Sequence, residues 1–360
     1  MATRKLLKAA ADVARSARKR TTPTEAASTY FVTPDDKSLE FFSSGCQLLD
    51  LVLGGGWCLG RMENIIGDKS TGKTLLAEEG SVNFHNTWPE GVIRYVEAES
   101  AFDKGYAAAL GMPVESIEFP QLVTPKGEND RTVEWVFDDI TATLERLKGR
   151  PCLYIVDSLD ALSDREELKR DMAAGTYGTQ KAKRLGEMFR RLVGDIEKSR
   201  MCLVIISQIR DKIGVTFGET KMRAGGHAMD FYATHCLWLA HIGTIKRTVS
   251  GIERIVGVDV RAKCKKNKVG LPFRECDFQI LFGWGVDEET AAIEWLLSAK
   301  RDEPLRELGV SKSGYVALLR SLRDSGKRVE LRELNTQLRE LVGRTWREIE
   351  MTFLPTIRKY

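Results

Sequence analysis

The apolar run MENIIG at 62 to 67 leads without a break into GDKSTGKT, Gly67 to Thr74, and a helical pattern follows. This is G-x-x-x-x-G-K-[ST] in the only context where it works, a loop between a strand and a helix, so the chain must supply a sheet with helices around it. Average residue frequencies produce the pattern by chance in roughly one chain of this length per hundred. Gly67 and Gly72 let the backbone N–H groups of Asp68, Lys69, Ser70 and Thr71 wrap a phosphate. The helix that starts through Lys73, Thr74 and Leu75 adds its positive end. Lys73 neutralises charge on the β- and γ-phosphates, and the Thr74 hydroxyl is placed for Mg2+.

From about 40 to 288 short apolar runs alternate with amphipathic stretches, the pattern of an α/β fold with a mainly parallel sheet. MENIIG, IRYVEA (93 to 98), CLYIVDS (152 to 158) and CLVIISQ (202 to 208) are almost continuously apolar, which predicts strands covered on both faces. VEWVFDDITATLERLKG and KRLGEMFRRLVGDIEKS repeat apolar residues at three- and four-residue spacing, as crossover helices do. Beyond 288 the pattern is helical and charged, with Leu331, Leu334, Leu338 and Leu341 in one stripe. The division expected is an N-terminal helical arm and linker at 1 to 39, a P-loop NTPase core at 40 to 288, and a small, mainly helical C-terminal domain at 289 to 360. The arm's RKLLKAAADVARSARKR is almost free of acid and could imitate a transit peptide; a helix is the simpler reading.

A formal charge of +4 is too small to argue for a nucleic-acid partner, so any electrostatic case must be local. Seven cysteines show neither CxxC nor Cys/His spacing and are read as buried free thiols of a reducing compartment. No apolar stretch reaches membrane-spanning length and no secretory segment follows the first Met, which predicts a cytoplasmic protein without a membrane partner.

Four further groups stand where strands end. Asp157 closes CLYIVDS, where a carboxylate would hold the water shell of Mg2+. Glu97 and Glu99 close IRYVEA, and Gln208 closes CLVIISQ. A carboxylate beside a γ-phosphate can activate water and an amide can sense that phosphate, but strand ends also carry such residues merely as solvated caps. Spacing does not choose. The same holds for KCKKNK, Lys263 to Lys268, which fits a solvated face, a nucleic-acid patch, or a device aimed at a site elsewhere.

Taken together, SSGCQLLDLVLGGGWCLGRMENIIGDKSTGKT, VEAESAFDKGYAAALG, CLYIVDSLDAL, IISQIRDKIGVTFGETKMRAGGHAMDFYA and KCKKNKVGLPFRECDFQILFGWGV resemble, in order, the bacterial RecA recombinase family over about 40 to 288. The resemblance implies a RecA-like core, ATP and Mg2+ as ligands, Glu99 as the residue that activates water, and Asp103 and Tyr106 against adenine. Gln208 becomes the γ-phosphate sensor at the start of a DNA-binding loop from about Ile209 to Gly226, with Arg210, Lys212, Ile213, Gly214, Lys221, Arg223, Gly225 and Gly226 as contacts. A second DNA loop, about Ser163 to Lys183, would use Tyr177, Gly178 and Lys183. Lys266 and Lys268 match a K-N-K element that reaches the phosphates of the adjoining subunit, and strand alternation puts both on one face, with Lys263 and Lys265 toward solvent.

The implied activity is that of a DNA-dependent ATPase: a helical filament of identical copies on single-stranded DNA, pairing with homologous duplex DNA, and strand exchange in recombination and repair. Nucleoid association goes with it. The N-terminal helix and TYF at 29 to 31 occupy the place of the family's polymerisation element. Departures are Glu97 for a usual Asp, His227 for Asn, Asp230 for a basic residue, and no acidic tail before PTIRKY, which predicts less restrained DNA binding. The pattern fits a divergent, phage-type member. Two other readings share the core: a ring helicase or branch-migration motor, against which the RecA-type loops speak, and an ATP-binding DNA-coating mediator with little turnover, against which Lys73 and Glu99 speak.

Overall fold

The computed structural model describes residues 39–169, 179–211, 221–223 and 228–355. The arm and its TYF therefore lie outside the described residues, as do His227 and the last five residues, TIRKY. Elements in chain order are β1 (Phe41–Phe42), α1 (Gln47–Leu53), β2 (Trp57–Cys58), β3 (Arg61–Gly67), α2 (Lys73–Thr87), β4 (Val92–Glu97), α3 (Lys104–Ala109), α4 (Val133–Leu147), β5 (Cys152–Asp157), α5 (Arg165–Lys169), α6 (Thr179–Lys198), β6 (Met201–Asp211), β7 (Lys221–Arg223), α7 (Ala228–Tyr232), β8 (His235–Val249), β9 (Ile252–Asn267), β10 (Arg274–Leu281), β11 (Gly285–Asp287), α8 (Glu288–Ser298), α9 (Asp302–Glu307), α10 (Tyr315–Asp324) and α11 (Arg328–Phe353).

The main sheet runs β11-β10-β9-β8-β3-β6-β5-β4, with β7 paired to β6. β8, β3, β6, β5 and β4 are parallel neighbours; β8 to β11 pair antiparallel. The apolar runs become strands because alternate side chains enter two separate cores. Ile65, Tyr95, Ile155 and Val204 face one, with α1 and α2; Ile66, Val96, Val156 and Ile205 face the other, with α4 and α6. Burial on both faces is what removes a visible alternation from the sequence.

The leucine stripe Leu331, Leu334, Leu338 and Leu341 is buried and belongs to the first core, together with α1 and residues of β9 and β10. Charge fastens the same region. Asp287 and Glu289 pair with Arg323, and Glu288 pairs with Arg339 while accepting from the Gln47 N–H at 2.9 Å. All seven cysteines are buried free thiols. Among the described residues, no helix is long and apolar enough to cross a membrane.

Candidate nucleotide site and its neighbours

Sheet register builds the site. Gly67 of β3 stands beside Gln208 of β6, and Glu97 of β4 beside Asp157 of β5, so the C-terminal ends of four parallel strands open at one edge. Ligands of open α/β sheets bind at that edge because the connecting loops and helix N-termini meet there. In the loop, a Cβ on Gly67 would lie 2.4 Å from Thr71 Oγ1, which only glycine avoids. Gly72 caps α2 in the left-handed conformation, φ 84°. Lys73 Nζ folds back onto the Asp68 carbonyl at 2.7 Å. Burial draws this ammonium below the usual lysine range, against the upward pull of Asp157 and Glu99.

Thr74 Oγ1 donates to Asp157 Oδ2 at 2.8 Å, and the Tyr95 hydroxyl donates to the same oxygen at 2.8 Å. Burial raises the Asp157 carboxyl while these two hydrogen bonds oppose the rise. A hydroxyl and a carboxylate, both hard oxygen donors on adjoining elements, fit Mg2+ and its water shell. Glu99, just past β4, is exposed; one of its oxygens, Oε1, accepts from Ser158 Oγ and, at 2.9 Å, from Gln208 Nε2. Arg131 braces this turn by donating to the Ala98 carbonyl at 3.0 Å and to Ser100 Oγ at 2.7 Å. Glu97 accepts from the Ala101 N–H at 2.9 Å. Asp103 caps α3 by accepting from the Tyr106 N–H at 3.0 Å, and Tyr106 is half-buried. Lys69, Ser70 and Leu75 complete the loop and first turn.

Not all expectations fit this geometry. The segment after Gln208 is not loop from Ile209 onward: β6 continues to Asp211 and pairs antiparallel with β7, so Arg210, Lys221 and Arg223 sit on a two-stranded ribbon. Its pairing of IRD with KMR is too short to show as a period in sequence. Lys183 belongs to α6, which begins at Thr179, four residues earlier than the loop was expected to end. Tyr177, Gly178, Lys212, Ile213, Gly214, Gly225 and Gly226 lie outside the described residues.

The lysine run divides as alternation predicts, with two differences. Lys266 Nζ donates to the Asp230 carbonyl and, at 2.9 Å, to that of Phe231; Lys268 Nζ donates to Phe231 O at 3.2 Å and to Tyr232 O at 3.5 Å. Both ammoniums thus hold the C-terminal end of α7. However, β9 ends at Asn267, leaving Lys268 just past the strand. Lys263 reaches Glu275 at 2.8 Å near solvent, whereas Lys265 lies 4.0 Å over the Trp238 ring. Cys236 stands opposite Lys266 and Leu237 opposite Cys264, so Lys265 is the extra residue of a β-bulge, where a strand's side chains are re-aimed.

Sequence reasoning missed Tyr95, Ser158, Arg131, Asp160, whose carboxylate accepts from the Gln208 N–H at 2.7 Å, and Glu78. Burial, then Asp157 and Asp103, raises the Glu78 carboxyl to about 7. Only Tyr95 left a signal, two residues before Glu97 and so on the same strand face.

A glycine loop between β3 and α2, a lysine in its helix, and a threonine bonded to a strand-end aspartate define the P-loop class of phosphate-binding folds. The RecA N-terminal domain family matches residues 28–287. Two curated proteins named Protein RecA, from Prochlorococcus marinus strains MIT 9515 and AS9601, are each 36% identical over 248 residues, 69% of this chain. The chain belongs to the RecA family. The matched region spans 62% and 63% of the length of those two relatives, less than two thirds.

Proposed function

We propose that the chain is an ATP-dependent recombinase that coats single-stranded DNA as a helical filament of its own copies, pairs it with homologous duplex DNA and exchanges strands. The observation that carries this reading is the Glu99–Gln208 hydrogen bond, because it joins a water-activating carboxylate to the strand that becomes the β6–β7 ribbon. ATP binds through Gly67 to Leu75, with Asp103 and Tyr106 against the base. Thr74 and Asp157 hold Mg2+, which when bound spreads phosphate charge. Glu99 takes the proton of the attacking water; Ser158 and Gln208 fix the direction of its carboxylate. Gln208 exchanges Glu99 for the γ-phosphate, and the ribbon that carries Arg210, Lys221 and Arg223 follows that exchange.

Lys266 and Lys268 complete the site of the adjoining copy. Their contacts within the protomer are backbone carbonyls of α7, ligands that a phosphate can displace. Cations supplied in trans are worth roughly 10³ to 10⁵ in rate where such devices have been measured. Division of the chain at about 39 and 288, with the arm as a polymerisation element, belongs to the same proposal, as does nucleoid association. Binding to single-stranded DNA weakens with salt by roughly −0.7 per neutralised phosphate on logarithmic axes.

The test measures ATP hydrolysis against protein concentration, with and without single-stranded DNA, alongside filament imaging and a strand-exchange assay. Cooperative stimulation by DNA together with exchange supports the reading. Turnover that ignores DNA, or closed rings that unwind from an end, would sink it.

A further inference from the structure

Behind the two lysines a row of polar side chains crosses the middle of the sheet. Glu63 of β3 stands in register with His235 of β8, and His235 with Asn267 of β9. Glu63 and His235 are completely buried, and neither belongs to the nucleotide site. Glu63 Oε2 lies 2.6 Å from His235 Nδ1, and His235 Nε2 lies 2.8 Å from the Leu53 carbonyl oxygen. A carbonyl only accepts, so Nε2 carries a proton and donates it; the contact to Glu63 shares a second proton between imidazole and carboxyl. Two apolar side chains would join β3 to β8 without the cost of desolvating ionisable groups. What the pair adds is a donor of fixed direction.

The target of that donor matters. Leu53 ends α1, and its carbonyl also accepts from Asn267 Nδ2 at 2.9 Å. Asn267 Oδ1 accepts from the Val269 and Gly270 N–H groups at 2.9 and 2.6 Å. Gly54, the left-handed cap of α1, approaches Gly270 so closely that a Cβ would lie 3.1 Å from the Gly270 Cα. The segment from Lys266 to Lys268 is therefore fixed on the last turn of α1.

We propose that Glu63 and His235 are positioning residues for Lys266 and Lys268. They hold the Leu53 carbonyl where it orients Asn267, and with it the backbone from which both lysines reach the nucleotide of the adjoining copy. The proposal rests on the trans role of the lysines argued above. It gives β3 two tasks: it presents one P-loop and braces the groups that serve the next.

Mixed filaments test it. A Lys73→Ala chain keeps its lysines but not its own site, and a Lys266→Ala/Lys268→Ala chain keeps its P-loop but lends nothing. Mixed on single-stranded DNA, they regain hydrolysis only where the first lends lysines to the second. Adding Glu63→Val/His235→Val to the lysine-lending chain is expected to lower the restored kcat about 10- to 100-fold, with KM unchanged, since displacements of about 1 Å cost that much. Added to the other chain, the pair leaves the restored rate unchanged. Equal losses in both placements, or none in either, overturn the proposal. If the unmodified mixture regains no hydrolysis although both chains coat DNA, the trans role itself fails and the proposal falls with it. The double replacement leaves no unpaired charge; should thermal unfolding show that it does not fold, Glu63→Gln is read in the same two placements, with the same expectation and a smaller amplitude.

Discussion

The two halves of the sheet carry opposite kinds of site. On the parallel side, β3, β4, β5 and β6 end together, and their polar groups bond to one another: Thr74 to Asp157, Gln208 to Glu99. On the antiparallel side, Lys266 of β9 and Lys268 just past it bond to backbone carbonyls of α7. Parallel strands gather their chemistry at one edge because every crossover returns to the same end. Antiparallel strands distribute it, and the proposed service to another copy's site falls on that side.

The largest expected effect tests that contrast directly. Lys266→Ala/Lys268→Ala should lower DNA-stimulated hydrolysis by roughly 10³- to 10⁵-fold while nucleotide binding, measured by calorimetry on the free protomer, is retained. Loss of binding instead would place the lysines in the protomer's own site and erase the distinction. Glu99→Gln, on the parallel side, should cost about 10²- to 10⁴-fold in kcat with little change in KM, read in steady-state assays. Next comes stability at the antiparallel edge. Arg323→Ala strands the buried carboxylates Asp287 and Glu289 and should cost roughly 3 to 5 kcal/mol in denaturant titrations.

The smallest effect concerns the parallel side. Burial holds the Glu78 carboxyl at about 7 instead of 4.5, so the folded chain binds this proton more tightly than the unfolded chain. Stability from this group is therefore full below about pH 4.5 and lost as pH rises through about 7. Glu78→Gln should flatten that fall and, at pH 8, exceed the native chain by about 1 to 3 kcal/mol. An unchanged pH profile of thermal unfolding would show that Glu78 is better solvated than its burial implies.

What could be read in the sequence follows the same division. Gly67 to Thr74 was legible because strand, loop and helix are contiguous and each residue's task is local. Asp157, Glu99 and Gln208 were legible as strand ends, but only register shows that they converge. Tyr95 and Arg131 act across elements and leave almost no local signal. So does the row Glu63, His235 and Asn267, whose first two members lie 172 positions apart. The β6–β7 ribbon was hidden because three paired residues are too few to set a period. The leucine stripe of α11 predicted a helix correctly but could not say against what it packs.

The course of β6 has a mechanical consequence. Between Gln208 and Asp211 there is no loop, so the strand is a stiff rod, extended by about 10 Å at the usual rise per residue. A rod turns a small displacement at one end into a swing at the other, whereas a flexible tether would absorb it as slack. On the proposed mechanism, the Gln208 amide stands at one end of that rod and the ribbon at the other.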